Sequence, residues 1–301
     1  MFFRKFARFA LAIVVLLIPA AISLGTSSQK RPDHDPIAVV RAYLRATYAR
    51  DYPAAYLYIS SRDQHVWNQT SYARQYGSFT GFALQLAQRL AGDMKIWVIQ
   101  QQMSPDRIQY EIGYEAPTAD ELSSRLMDWD QNKLNALSRL QQEQLRAALE
   151  QLEKTGKMIT LKGKEKFSLV AEGGRWKIFN DWASANKVSF RVALPRHAGI
   201  DAALLNDELL VKKNEPFEIA LKIKNRSQHT VTARIIHHVE PRSLENNIEM
   251  IACGALLPLV LQPNDEREIS MAYLIRNGIR SGAKFAVTYE LAQEPAAPRL
   301  P

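Results

Sequence analysis

At 301 residues and 47% hydrophobic content, the chain is longer than one compact unit and apolar enough for a core in each of about two domains, since such units run to roughly 100 to 200 residues. Of the net charge of +8, three positive charges (Arg4, Lys5, Arg8) precede an apolar run, leaving +5 spread along the remainder. That mild excess suits anionic headgroups or an acidic partner; nucleic acid is not an expected partner, because its binding wants a clustered basic stripe with aromatic platforms, and none is visible in the linear sequence.

Residues 1–25 have the build of an export segment, with a basic start followed by the uncharged run from Phe9 to Leu24. Cleavage after Ala21-Ile22-Ser23, as in a signal peptide, and retention as a single-pass anchor are both open, because 16 uncharged residues fall just short of the ~17 to 25 a spanning helix needs. In either case the basic start keeps that end in the cytoplasm and sends the bulk of the chain across the inner membrane to the periplasmic side. Residues 26–35 are polar and read as a tether.

Pro36 opens a helix whose face is Ile37, Val40, Tyr43, Leu44 and Tyr48. A short helix is expected over 51–59, closed by Ser60-Ser61, and a third over 71–89, interrupted near Gly77 to Gly81. The period then changes to two: 95–100 and 107–114 alternate apolar and polar around Ser104-Pro105-Asp106, a hairpin signature. A helical insertion is expected over 118–157, its helix from Asp120 to Lys157, with Leu134, Leu137, Leu145, Leu149 and Leu152 as packing residues. Strands 159–170 and 176–180 follow, joined by the turn 171–174. Helices followed by antiparallel strands make residues 36–184 an α+β domain.

From residue 187 to 294 the texture is all strand, with runs at 189–194, 208–211, 217–225, 231–239, 248–252, 259–261, 268–275 and 284–291 punctuated by Asn, Gly and Pro. Even spacing without helical periodicity argues an immunoglobulin-like β-sandwich. Residues 295–301 are left as a tail.

Two resemblances sharpen these readings. The sequence Gly174-Arg175-Trp176-Lys177-Ile178-Phe179-Asn180-Asp181-Trp182 resembles the last strand of the cone-shaped nuclear-transport-factor-like fold, which hosts binding modules, scaffolds and enzymes alike. In the last third, Lys224-Asn225-Arg226-Ser227, His238-Val239-Glu240-Pro241, Ile251-Ala252-Cys253, Leu261-Gln262-Pro263-Asn264-Asp265-Glu266, Met271 and Phe285-Ala286-Val287-Thr288-Tyr289 follow the order and spacing of the CtaG family. Members of that family are membrane-anchored proteins thought to deliver copper(I) to cytochrome c oxidase through a Cys-Phe-Cys-Phe motif. The resemblance implies a copper(I) role, with respiratory oxidase subunits as partners. Cys253 matches the first cysteine of the motif, while Ala255 stands at the second and Gly254 and Leu256 at the two phenylalanines.

Copper(I) is soft and wants two or three thiolate or thioether ligands, so one thiolate leaves the site short. Met250, His237 or His238 could complete it, as could a homodimer pairing two Cys253 thiolates. On a regular strand Met250 lies on the face opposite Cys253, and His237 and His238 point to opposite faces, so at most one histidine joins. A buried thiol with two surface histidines is the competing reading.

Elsewhere, Tyr56, His65 and Trp67 are candidates for a ligand pocket in the cone, with Asp63 beside His65 as an acid–base pair. The tyrosines at 48, 52, 56, 58, 72 and 76 line a cleft or fill the concave face. No phosphate loop, His-Glu-x-x-His or Gly-x-Ser-x-Gly is present and no catalytic residues can be paired, so an enzyme is not expected. The expectation is a membrane-tethered periplasmic assembly or scaffold protein with an incomplete copper site. The alternative is an envelope module that binds a ligand or a protein without metal.

Overall fold

The computed structural model describes residues 35–117, 129–194, 199–253, 258–276 and 278–293. The expected export segment, nearly all of the tether, residues 118–128 of the insertion and the tail lie outside the described residues. No helix among the described residues is long and apolar enough to cross a membrane. The fold is α+β, and the chain divides into two compact units, Met1–Asn180 and Asp181–Pro301.

The first unit starts with α1 (Pro36–Tyr48), whose first turn is fixed by Pro36 and by the Asp35 carboxylate accepting from the Ile37 amide at 3.1 Å. Three short helices follow, α2 (Tyr52–Tyr56), α3 (Ser61–Val66) and α4 (Gln69–Tyr76), then α5 (Gly81–Gly92). Helix α3 was not expected. Ser60, read as a helix stop, is an N-cap whose hydroxyl accepts from the Asp63 amide and starts a new helix. Strands β1 (Lys95–Ser104), β2 (Arg107–Pro117), β3 (Thr160–Glu172) and β4 (Arg175–Ile178) form one antiparallel sheet in sequence order. Val40 and Leu44 of α1 pack on one face of it, against Ile108, Tyr110 and Ile112 of β2 and Phe167 and Leu169 of β3.

Between β2 and β3 the expected single helix is divided into α6 (Gln131–Asn135) and α7 (Arg139–Lys154). Ser138 and Gln141 form a reciprocal capping box that starts α7 afresh. Leu134 and Leu149 are fully buried with Phe82, Leu86 and Leu90 of α5, and Leu137, Leu145 and Leu152 pack around them.

The second unit contains β5 (Asn186–Ala193), β6 (Ile200–Leu204), β7 (Glu208–Val211), β8 (Pro216–Asn225), β9 (Val231–Glu240), β10 (Ile248–Cys253), β11 (Leu259–Leu261), β12 (Glu266–Ile275) and β13 (Lys284–Gln293). They form two sheets, β10-β12-β8-β6 and β11-β9-β13-β5-β7. Alternate residues of both, among them Leu221 and Tyr273 of one and Val287 and Tyr289 of the other, share a single core. All pairs are antiparallel except β5 with β13, which run parallel and set the first strand of the unit beside the last.

Asn225, fully buried, ties this unit together. Its amide nitrogen donates to the carbonyls of His229 at 2.7 Å, Leu261 at 3.0 Å and Gln262 at 3.1 Å, and its oxygen accepts from the Ser227 amide at 2.9 Å. Asn225→Ala removes all of these bonds at a buried site, although the His229 carbonyl keeps the Ser227 hydroxyl and the Gln262 carbonyl keeps the Asp265 amide, so we expect a loss of about 2 kcal/mol. Urea denaturation of the variant checks this, and an unchanged midpoint contradicts it.

Candidate functional site

Strand alternation sorts the two histidines. His238 lies on the exposed face of β9, with Nε2 2.9 Å from the Glu290 carboxylate of β13. His237 faces the core side and is half-buried, with its ring 6.1 Å from that of Tyr273 at 73°. Desolvation lowers its pKa from the ordinary 6.5, the adjacent His238 pushes the same way, and Glu245 in the 3-10 turn Arg242–Asn247 opposes them. Neutral imidazole is therefore the favoured form at neutral pH, the form that donates a lone pair to a metal.

The same shift fixes a pH response. Because the folded pKa lies below the unfolded one, the unfolded chain binds more protons as pH falls through 6.5. His237 therefore leaves stability intact above that pH and removes some of it below, down to the folded pKa. Thermal melts from pH 7.5 to 5 should fall more steeply for the native chain than for His237→Gln; superimposable profiles would contradict the assignment.

Met250 requires a correction. Regular alternation sets it on the face opposite Cys253, but β10 does not pair regularly with β12. Met250 pairs with Tyr273, Ala252 with Ala272 and Cys253 with Met271, the register slipping at Ile251, whose side chain is exposed. That bulge inserts one residue and restarts the alternation. Positions 250 and 253 are thereby both opposite core residues of β12. Met250 is partly buried against the core, and the Tyr273 hydroxyl contacts the Met271 sulfur at 3.9 Å. Tyr273 thus gathers His237, Met250 and Met271, next to the register position of Cys253.

Met271 was not among the expected ligands, although its two-residue spacing from Tyr273 on a strand would have placed both on one face. Among the described residues no three of His, Cys, Asp and Glu gather to hold a metal. Thioether, imidazole and thiolate together suit copper(I), a soft ion.

In the first unit, Tyr56 and Trp67 are brought together, since the Tyr56 hydroxyl donates to the Trp67 carbonyl at 2.9 Å. The Trp67 side chain is buried. His65 is exposed, with Nδ1 2.5 Å from the Ser61 carbonyl of its own helix. Asp63, by contrast, is buried and accepts from the Asn180 amide at 2.6 Å, which fastens the end of the last strand. The tyrosines pack on one another: Tyr72 lies 5.6 Å from Tyr52, 5.8 Å from Tyr56 and 5.1 Å from Tyr76, ring to ring, and its hydroxyl is 3.3 Å from that of Tyr43. Burial pushes Tyr52 up to about 12 and Tyr43 and Tyr72 higher still, so all three remain protonated.

No protein-family model matches the chain, and no curated protein matches it.

Proposed function

We infer that the chain is a membrane-tethered periplasmic assembly or scaffold protein related to the cytochrome c oxidase copper-insertion factors, acting beside a respiratory oxidase with a reduced copper(I) site. The single observation that carries this reading is the bulge at Ile251, which brings Met250 and Cys253 to register positions opposite Tyr273 and Met271. Two packed sheets with a common core support an immunoglobulin-like sandwich for the second unit. Helix α1 lying on the four-stranded sheet supports a cone-shaped, nuclear-transport-factor-like first unit.

Cys253, with Met250 and His237, would hold copper(I), which the site passes on rather than uses for chemistry of its own. His238, engaged with Glu290 on the other face, takes no part. In cells lacking the protein, purified oxidase should contain less copper, and Cys253→Ser should fail to restore it. Full copper content in the deleted cells would instead favour the alternative, an envelope binding module without a metal role.

A further inference from the structure

The first unit carries a basic surface that only the folded sheet assembles. On the face turned away from α1, β3 presents Lys162, Lys164 and Lys166, all exposed, opposite Glu115, Gly113 and Glu111 of β2. Register with β1 adds Lys95 opposite Glu115 and Trp97 opposite Gly113. Lys95 lies 3.7 Å from Glu115, and Lys164 lies 3.7 Å from Glu111. The lysines of these pairs are 73% and 68% exposed and the glutamates 20% and 21%, so the ammonium groups form the outer layer and the carboxylates lie beneath.

The indole sits flat in the middle of this layer. A Cβ on Gly113 would stand 2.4 Å from the Trp97 ring, so the glycine is what lets the ring lie on the sheet. Trp97 nevertheless remains 41% exposed. β1 is an edge strand, carries no charge from Ile96 to Ser104, and exposes Ile99 at its bulge, while Val98 and Met103, opposite Ile112 and Ile108, belong to the other face. An uncharged, exposed edge is a surface that proteins usually blunt with lysine or proline.

We propose that this face docks on an anionic phospholipid bilayer, with the lysines over the headgroup phosphates and Trp97 and the β1 rim at the interface. Charge complementarity selects the partner, because each lysine held near an anionic leaflet adds attraction. Tryptophan among lysines, beside an uncharged edge strand, has the composition of the headgroup boundary. Single-stranded nucleic acid would call for several stacking platforms rather than one. The proposal rests on the first unit alone and holds whether or not the second takes copper.

The test uses the full-length protein with vesicles of phosphatidylglycerol or phosphatidylcholine, each carrying brominated acyl chains that quench tryptophan. Of the five tryptophans, Trp67, Trp129 and Trp182 are buried and Trp176 is partly buried, so contact quenching reports Trp97. Insertion of the apolar run at residues 9–24, and attraction of Arg4, Lys5 and Arg8 to anionic lipid, are common to the native chain and the lysine variant below, and the difference between those two isolates the sheet. Quenching should occur on phosphatidylglycerol, disappear at high salt, and require about 100-fold more lipid in the combined Lys162→Gln, Lys164→Gln, Lys166→Gln variant. Glu111→Gln with Glu115→Gln should shift it the opposite way, about tenfold. Equal quenching on both lipids, persistence in the lysine variant, or tighter binding of single-stranded DNA than of phosphatidylglycerol overturns the proposal.

Discussion

Tyr273→Ala should destabilise the second unit by about 3 to 5 kcal/mol, as removal of a large buried aromatic does. The ring is fully buried and stacks on Phe217 at 5.6 Å, meets His237 at 6.1 Å, and presents its hydroxyl to the Met271 sulfur. It therefore supports both the core and the side chains of the candidate copper site. Tyr273→Phe keeps the ring and gives up the weak 3.9 Å contact of the hydroxyl with the Met271 sulfur, so its cost should stay below about 1 kcal/mol. Calorimetry should show one endotherm, that of residues 181–301, moving down in the alanine variant while the other stays. Equal effects of the two substitutions would mean the ring is not the keystone described.

Leu149→Ala should detach α7 at a cost of about 2 to 5 kcal/mol. Leu149 is the one buried side chain of the helix, and it meets the α5 core beside Leu134. Around it lie weaker ties: the partly buried Leu145 and Leu152, the Arg146–Gln85 hydrogen bond at 2.8 Å, the Arg146 guanidinium 5.0 Å from the Phe82 ring, and the Arg89–Glu153 pair at 2.7 Å, whose partners are 33% and 26% exposed and which is worth only about 0.2 to 1 kcal/mol. The expected result is rapid amide exchange through Arg139–Lys154 with β1 to β4 still protected. Undiminished protection of α7 would show that the insertion holds by other contacts.

Signals confined to a few neighbouring residues were legible in the sequence: Pro36 at a helix start, Pro105-Asp106 at the hairpin, and the bounds of β7 and β11, which agree with the expected 208–211 and 259–261. Ser60 misled because the same serine that stops one helix caps the next. β6 was missed because Ala202 and Ala203 give too weak an alternation to mark a strand. The opposite faces of His237 and His238 followed from the two-residue period alone. The position of Met250 did not, since a bulge depends on how β10 meets β12, strands separated by the β11 segment. The basic face of the first unit was hidden for the same reason: Lys95 and Trp97 reach Lys162 and Lys164 only through β2, across more than 60 residues of chain.

On the proposed reading, a reduced set of soft donors at β10 and β12 still takes copper(I). The decisive measurement is titration of the full-length protein with copper(I) against a competing chromophoric chelator under reducing conditions. The native chain should withdraw one equivalent from the chelator, Cys253→Ser should withdraw none, and Met250→Leu should bind at least about tenfold more weakly, the equivalent of about 1.4 kcal/mol. Equal, weak binding by all three proteins would contradict the claim.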